Sequence, residues 1–363
     1  MTQKKKLGII TFHKAHNYGA FLQCYALQEF LRSIGHNAFV IDYDRKELWE
    51  GYHWFKMQDI VSCFHKLNKI PNRIIKLLIR WCRSIPRFYK FAYIQKKELR
   101  LCPISEIENK PFDLILIGSD QVWNTDITHG FDMYYWGYFS RPTITKIATY
   151  AASLKNKWSS EIACTVKKYL EKLNVISVRE QHTVSWIKEL NPQLNPTLVP
   201  DPVLLLDDSY WSKLARKPKK TSYVFFYQAM NSDKVYSVAK DIAKKYNKEL
   251  IILSADVNGP NSTCARNASP AEFLGWIKYA DIVITSSFHA TAFSIIFNKD
   301  FYCVDLQLGE DNRSKNILTQ FGLENRFIQT AEDQNRVNLL YPQNIQNIMN
   351  SIQEIAKAYI NNI

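Results

Sequence analysis

Residues 112–117, FDLILI, are apolar at every position except Asp113 and run straight into Gly118-Ser119-Asp120. A strand with one wet face alternates apolar and polar residues, so an unbroken apolar run belongs in a parallel sheet covered by helices on both faces. Parallel neighbours need a crossover, and the N-terminal segment provides one. Residues 7–43 read strand (LGIITF), loop (HKAHNYGA), helix (FLQCYALQEFLRSIG, stopped by Gly35) and strand (NAFVIDY). Further strands are expected at 146–150, 175–178 and 197–199, with a helix from about 179 to 190. After Asp201-Pro202 the alternation begins again, with strands at 222–227, 249–255, 280–285 and 300–305. Helices at 232–246, 270–279 (opened by Ser269 and Pro270) and 289–297 separate them. At 363 residues the chain is too long for one ordinary core. The expected class is α/β, with two Rossmann-like domains facing a cleft in the GT-B manner. The expected bounds are 1–205 with an insert at about 45–105, then 206–342 entered through the polar stretch 207–221. A final helix within 343–363 is expected to pack back across the junction.

Net charge is +13, and it is concentrated. Between Lys66 and Arg100, eleven Lys or Arg stand against Glu98 alone, a local balance of +10. Within it Arg73, Lys76, Arg80, Arg83 and Arg87 recur every three or four residues, with Ile70, Ile74, Leu77, Leu78 and Trp81 on the opposite stripe of one helix. Such a helix covers its own domain, lies on an anionic lipid surface, or stands near a pyrophosphate-bearing substrate. No helix-turn-helix, RNP or zinc-finger signature accompanies the charge, so no nucleic-acid partner is expected. The seven cysteines are odd in number and form no C-x-x-C, which excludes a disulfide scaffold and a zinc ribbon. The apolar run behind the basic N-terminus stops after a few residues, so a first strand and not a signal peptide is expected there, and no apolar run of spanning length occurs. A protein of the reducing cytoplasm is expected, able to sit peripherally on the inner membrane face through residues 66–100. No feature speaks to the oligomeric state.

Three loops after expected strands carry the chemistry. Asn17, Tyr18 and Gly19 stand at a helix N-terminus, which suits an anion or polar ligand and equally an N-cap. No G-x-G-x-x-G and no P-loop is present. Asp120, Gln121, Trp123 and Asn124 follow the most apolar strand. Asp120 could take a hydroxyl proton and Trp123 could stack on a sugar, whereas Ser119 or Asp120 could simply cap a helix. The third loop, TSSFHAT at 285–291, sets His289 in the first turn of a helix, where the macrodipole favours a neutral imidazole able to exchange a proton. Ser287 and Thr291 beside it could help cradle an anion. Arg179 and Arg313 follow strands and are either surface ion pairs or clamps for phosphate or carboxylate.

In this order the pieces resemble the polysaccharide pyruvyltransferase family. The matching segments are Asn17-Tyr18-Gly19-Ala20, Gly118 to Asn124, Tyr150-Ala151-Ala152-Ser153, Ser177-Val178-Arg179-Glu180, Asp201-Pro202, and Ser287-Phe288-His289-Ala290 followed by Phe297-Asn298-Lys299. The resemblance runs from about residue 7 to 330 and leaves out the basic insert. It implies transfer of a pyruvyl group from phosphoenolpyruvate to a sugar of a cell-surface polysaccharide or its lipid-linked precursor, forming a ketal, with no metal or other cofactor. It implies His289 as the motif histidine near the donor and Arg179 as the arginine of the S-V-R-E motif. On the chemistry of the residues themselves, His289 and Asp120 are expected to be catalytic, with Arg179, Arg313, Ser287 and Thr291 at the donor. Asn17, Tyr18, Gln121 and Trp123 would hold the acceptor. Many members carry an arginine where this chain has Ser287, so Arg179 or Arg313 would have to supply the missing charge. A nucleotide-sugar glycosyltransferase and a non-catalytic saccharide- or membrane-binding homologue are the alternatives.

Overall fold

The computed structural model describes residues 4–43, 70–107, 112–139, 146–256, 259–306 and 313–363. Its residues divide into two compact units. Those within 4–43, 92–206 and 350–363 belong to the first, and those within 70–91 and 207–349 to the second. Residues 44–69, with Lys66 and Lys69 of the expected basic insert, lie outside the described residues, as do 307–312 before Arg313.

The first unit is built on strands β1 (Lys6–Ile10), β2 (Asn37–Asp42), β3 (Leu101–Pro103), β4 (Leu114–Ile117) and β5 (Ile147–Thr149). All pair in parallel in the order β3-β2-β1-β4-β5. The short parallel pair β6 (Ser177–Val178) and β7 (Thr197–Leu198) continues the sheet through the bridges Ala148–Val175 and Ala152–Val178. All four residues of β4 are buried, as its unbroken apolar run demands. The strand order reverses between β1 and β4, and the carboxyl ends of such a pair are where doubly wound sheets place ligands. Helix Tyr18–Ser33 joins β1 to β2. Asn17 caps it, Gly35 stops it at φ +99°, and it packs on the 3-10 turn Pro202–Leu205. Of the C-terminal helix Ile345–Asn361, residues 350–361 belong to this unit, and the Tyr359 hydroxyl donates to the Thr149 carbonyl at 2.6 Å.

The second unit repeats the logic with strands β8 (Tyr223–Gln228), β9 (Glu249–Ser254), β10 (Ile282–Thr285), β11 (Asp300–Val304) and β12 (Phe327–Ile328). They are parallel, in the order β12-β11-β10-β8-β9, so the reversal lies between β8 and β10. Val224, Phe226, Ile284 and Tyr302 form its core with Val235, Ala239 and Ile242 of helix Asp233–Lys245. Helix Pro270–Lys278 opens with Ser269 and Pro270 as expected, and Ser269 and Glu272 complete a capping box.

Several elements differ from expectation. The stretch 207–221 is not all linker, because Asp207 caps a helix, Asp208–Leu214, that buries Trp211. Helices Ser160–Leu170 and Arg313–Gln320 and strands β3 and β12 were not legible in the sequence. The basic helix runs Ile70–Glu98, eleven residues beyond Arg87. The side chains of Ile70, Arg73, Ile74, Lys76, Leu77 and Arg80 lie outside what is described. Arg87 leaves the expected solvent stripe. It is buried, and its Nη1 donates to the Ser254 carbonyl at 3.0 Å, so a lipid surface cannot reach it. Leu78, by contrast, is half exposed, together with Ile75 and Ile79. Among the described residues no helix is long and apolar enough to cross a membrane.

Candidate functional site

In the first unit, the loops leaving β1 and β4 are tied together at the strand-order reversal. The Thr11 hydroxyl donates to the Ser119 carbonyl at 2.7 Å and accepts from Gln23 Nε2 at 3.1 Å. Ser119 Oγ and Gln23 Oε1 are buried beside this link with no hydrogen-bond partner among the described residues. Buried polar groups are seldom left unsatisfied, so such orphans mark a place where something other than the chain supplies the partner. Asp120 follows at φ +74°, a left-handed conformation that Asp and Asn tolerate better than other side chains. Its carboxylate accepts the Gln121 backbone N–H at 2.8 Å, and Gln121 in turn accepts from Asn124 Nδ2. Asp120 and Gln121 are half-buried.

Trp123 is not a sugar platform. Its ring is fully buried, stacked on Trp136 at 4.9 Å and 13°, with Trp158 also against it, and its Nε1 donates to the Tyr135 carbonyl. It anchors the loop from within the core and leaves no face for a ligand. Tyr18 is likewise buried. Asn17 serves as the N-cap, its Oδ1 accepting from Gly19 N at 2.9 Å and Ala20 N at 3.3 Å, so those two N–H groups are already satisfied.

Behind Asp120 lies a buried ionic knot. Arg179 follows β6, with only 6% of its side chain exposed, and pairs with both Glu180 and Asp201. Its Nη2 donates to Ser153 Oγ at 2.9 Å, and Ser153 Oγ donates to Glu180 Oε1 at 2.7 Å. Burial works against the charge on Arg179, but Glu180, Asp201 and Asp120 outweigh it and hold the guanidinium pKa above its ordinary value. The knot reaches the loop through the backbone, where Ser153 N donates to the Asp120 carbonyl at 3.0 Å and Ala152 bridges to Asp120. The S-V-R-E segment and the Asp201-Pro202 segment, separate in sequence, are two halves of one cluster.

In the second unit, the loop after β10 opens helix Phe288–Ile296 at the reversal beside β8. Thr285 Oγ1 donates to the Tyr227 carbonyl at 2.8 Å and accepts from Ser287 N at 3.0 Å, which fixes where the helix starts. Ser287 stands at the N-cap but makes no side-chain capping bond, and the Ser286 hydroxyl is buried without a partner among the described residues. His289, second in the helix, is half-buried, with the Phe288 ring at 5.1 Å edge-on. Thr291 is not at the rim. It is fully buried, and its hydroxyl contacts Cys303 Sγ of β11 at 3.6 Å. Arg313 is the half-buried first residue of its helix.

Sequence reasoning missed a brace at the carboxyl end of the first sheet. Buried His13, after β1, places Nε2 3.0 Å from Asp42 Oδ1 at the end of β2, and Lys14 Nζ lies 2.8 Å from the same oxygen. The other ring nitrogen lies 3.3 Å from the Thr11 carbonyl. The only sequence signal was that both residues follow neighbouring strands. The hydrogen bond from His13 is the main cause that pulls the Asp42 carboxyl from 3.8 to about 2. A depressed carboxyl contributes stability that is full above its ordinary value and is lost as the pH falls through the folded one. The stability gap between wild type and Asp42→Asn in denaturant titrations should therefore shrink as the pH is lowered from about 4 to about 2. A gap constant across that range would mean the brace acts by packing alone.

The comparison with curated proteins finds no match. Among solved structures, a UDP-N-acetylglucosamine 2-epimerase superposes with a TM-score of 0.49 at 8% identity, covering 96% of this chain and 91% of its own. The UDP-GlcNAc 2-epimerase from Methanocaldococcus jannaschii gives 0.45 at 10% identity, covering 98% and 99%. A putative UDP-N-acetylglucosamine 2-epimerase from Listeria monocytogenes gives 0.45 at 10% identity, covering 95% and 90%. The polysaccharide pyruvyl transferase family model matches residues 17–307, which takes in the Asn17 cap, the Asp120 loop, the Arg179 knot and the His289 helix. The chain belongs to the polysaccharide pyruvyl transferase family.

Proposed function

We propose that this protein transfers a pyruvyl group from phosphoenolpyruvate to two hydroxyls of a saccharide, forming a ketal and releasing inorganic phosphate. The observation that carries the reading is the same in both units. The expected acid–base residue leaves the carboxyl end of a strand at the reversal of strand order, Asp120 after β4 and His289 after β10. Orphaned buried hydroxyls, Ser119 and Ser286, lie beside each.

The reaction has to protonate the methylene carbon of the donor, stabilise an oxocarbenium-like centre at C2, add one hydroxyl, expel phosphate by breaking the C2–O bond, and add the second hydroxyl. Of the two hydroxyl protons, one ends on the new methyl carbon and the other on phosphate. His289 exchanges the proton with carbon, and Asp120 receives the proton of the attacking hydroxyl. Gln121 orients the acceptor. Arg313, with the uncapped first turn that holds Ser287, binds the donor's phosphate and carboxylate. Arg179, engaged by two carboxylates, acts as a positioning residue that holds the Asp120 turn. The chemistry asks for no separate metal or cofactor. The acceptor class follows the family, a polysaccharide or its lipid-linked precursor.

The test is phosphate release from phosphoenolpyruvate across a panel of acceptor glycans, with the ketal identified in the product. Phosphoenolpyruvate should also raise the melting temperature, because a ligand that binds only the folded state stabilises it, by about 2.7 kcal/mol at a hundred times its dissociation constant. Stabilisation by nucleotide sugars and none by phosphoenolpyruvate would favour a glycosyltransferase instead.

A further inference from the structure

We propose that the second unit carries a separate binding site for a phosphate or diphosphate group, in a cavity walled by residues 216–220. The chemistry is shared by the headgroup of an anionic membrane lipid and by a soluble phosphate ligand. The cavity has a volume of about 460 Å³, and its lining includes Arg216, Lys217, Lys219 and Lys220 together with Glu272 and Trp276. Four cations within five residues share the cavity lining with one carboxylate, Glu272, which is already held by Lys90 at 2.7 Å, with Arg216 farther off at 3.9 Å. Among the described residues the one further carboxylate paired with them, Glu249, meets Lys220 outside the lining. Crowded like charges repel, and a bound polyanion relieves the repulsion.

The cations do not hold their own segment in place. Arg216 N donates to the Ala271 carbonyl at 2.8 Å, and the Arg216 carbonyl lies so close to Gly275 that a Cβ there would come within 1.8 Å of it. Pro218 fixes the backbone between the lysines. The charges therefore stand on a backbone anchored to helix Pro270–Lys278. Lys220 pairs with Glu249 at 2.5 Å and Lys217 lies over the Tyr279 ring at 5.3 Å, but both contacts are on the exposed surface, where such pairs are weak.

The place in the sheet separates this cavity from the reaction. Lys220 precedes β8 and its partner Glu249 opens β9, at the amino ends of the strands, whereas His289 leaves the carboxyl end of β10. In a parallel sheet these are opposite edges, so the lysine end of the cavity lies away from the start of the His289 helix. The inference does not depend on the reaction proposed above. In the same unit, the helix that supplies Lys90 also exposes Ile75, Leu78 and Ile79, an apolar complement to a lipid.

The experiment uses the full chain, sodium pyrophosphate in titration calorimetry, and sedimentation with vesicles of phosphatidylglycerol and phosphatidylcholine. Wild type should bind pyrophosphate, the anionic vesicles, or both. The triple variant K217A/K219A/K220A should weaken whichever binding is seen by at least about tenfold. Gly275→Ala, which moves the Arg216 backbone and leaves every charge in place, should weaken it too; if that variant does not fold, the triple variant decides. Vesicle binding displaced by pyrophosphate assigns the site to a headgroup, and pyrophosphate binding alone assigns it to a soluble ligand. Phosphate release from phosphoenolpyruvate with a soluble acceptor should be unchanged in the triple variant, which separates this site from catalysis. A wild type that binds neither probe, or a triple variant that binds as wild type does, overturns the proposal.

Discussion

Replacing His289 by Ala should lower the initial rate of phosphoenolpyruvate-dependent phosphate release by at least about a hundredfold while leaving the melting temperature close to that of wild type. General acid–base groups contribute on the order of 10² to 10⁴ in rate, and His289 is half-buried, at the second position of a helix whose start is fixed by the Thr285 hydroxyl. Function and stability are therefore separable at this residue. Asp120 needs a different substitution. Its φ of +74° would strain Ala, whereas Asn adopts that region and keeps an oxygen to accept the Gln121 N–H. Asp120→Asn thus removes the base without disturbing the turn, and a loss of similar size is expected. Turnover near normal in either variant would take that residue out of the proton path.

What the sequence made legible is what local pattern controls. The apolar run before Gly118 and the stop at Gly35 depend on residues within one element, and the strands, the helix and the parallel class follow from them. Side-chain destination depends on residues far away in the chain. Trp123 looks like a ligand platform because it sits among polar residues, but the ring it stacks on, Trp136, and the tilted Trp158 ring against it lie downstream. Arg87 keeps helical register with the exposed Arg83, yet its acceptor is the carbonyl of Ser254, 167 residues on. The helix Asp208–Leu214 was hidden because its polar composition outweighed one buried ring, that of Trp211. At the candidate site, the loops carrying Asp120 and His289 were readable from their place after strands. The pairing of Arg179 with Asp201 was not, since both an ion pair and a ligand clamp fit an arginine at a strand end.

That pairing makes Arg179 the residue whose loss should be felt most widely. Arg179→Met keeps much of the volume and removes the cation, leaving Glu180 and Asp201 buried beside each other without compensation. Breaking a buried pair in this way costs roughly 3–5 kcal/mol, which for a unit of this size lowers the melting temperature by roughly 6–20 °C. The loss should spread, because the other oxygen of Asp201 accepts from Val203 N at 3.0 Å and so shapes the 3-10 turn on which helix Tyr18–Ser33 packs. A second substitution identifies the cause. Asp201→Asn removes one of the two negative charges that the guanidinium balances, so adding it to Arg179→Met should recover part of the lost melting temperature at neutral pH. A double variant no more stable than Arg179→Met would mean that the guanidinium serves as packing and not as the counter-charge that keeps the Asp120 turn in place.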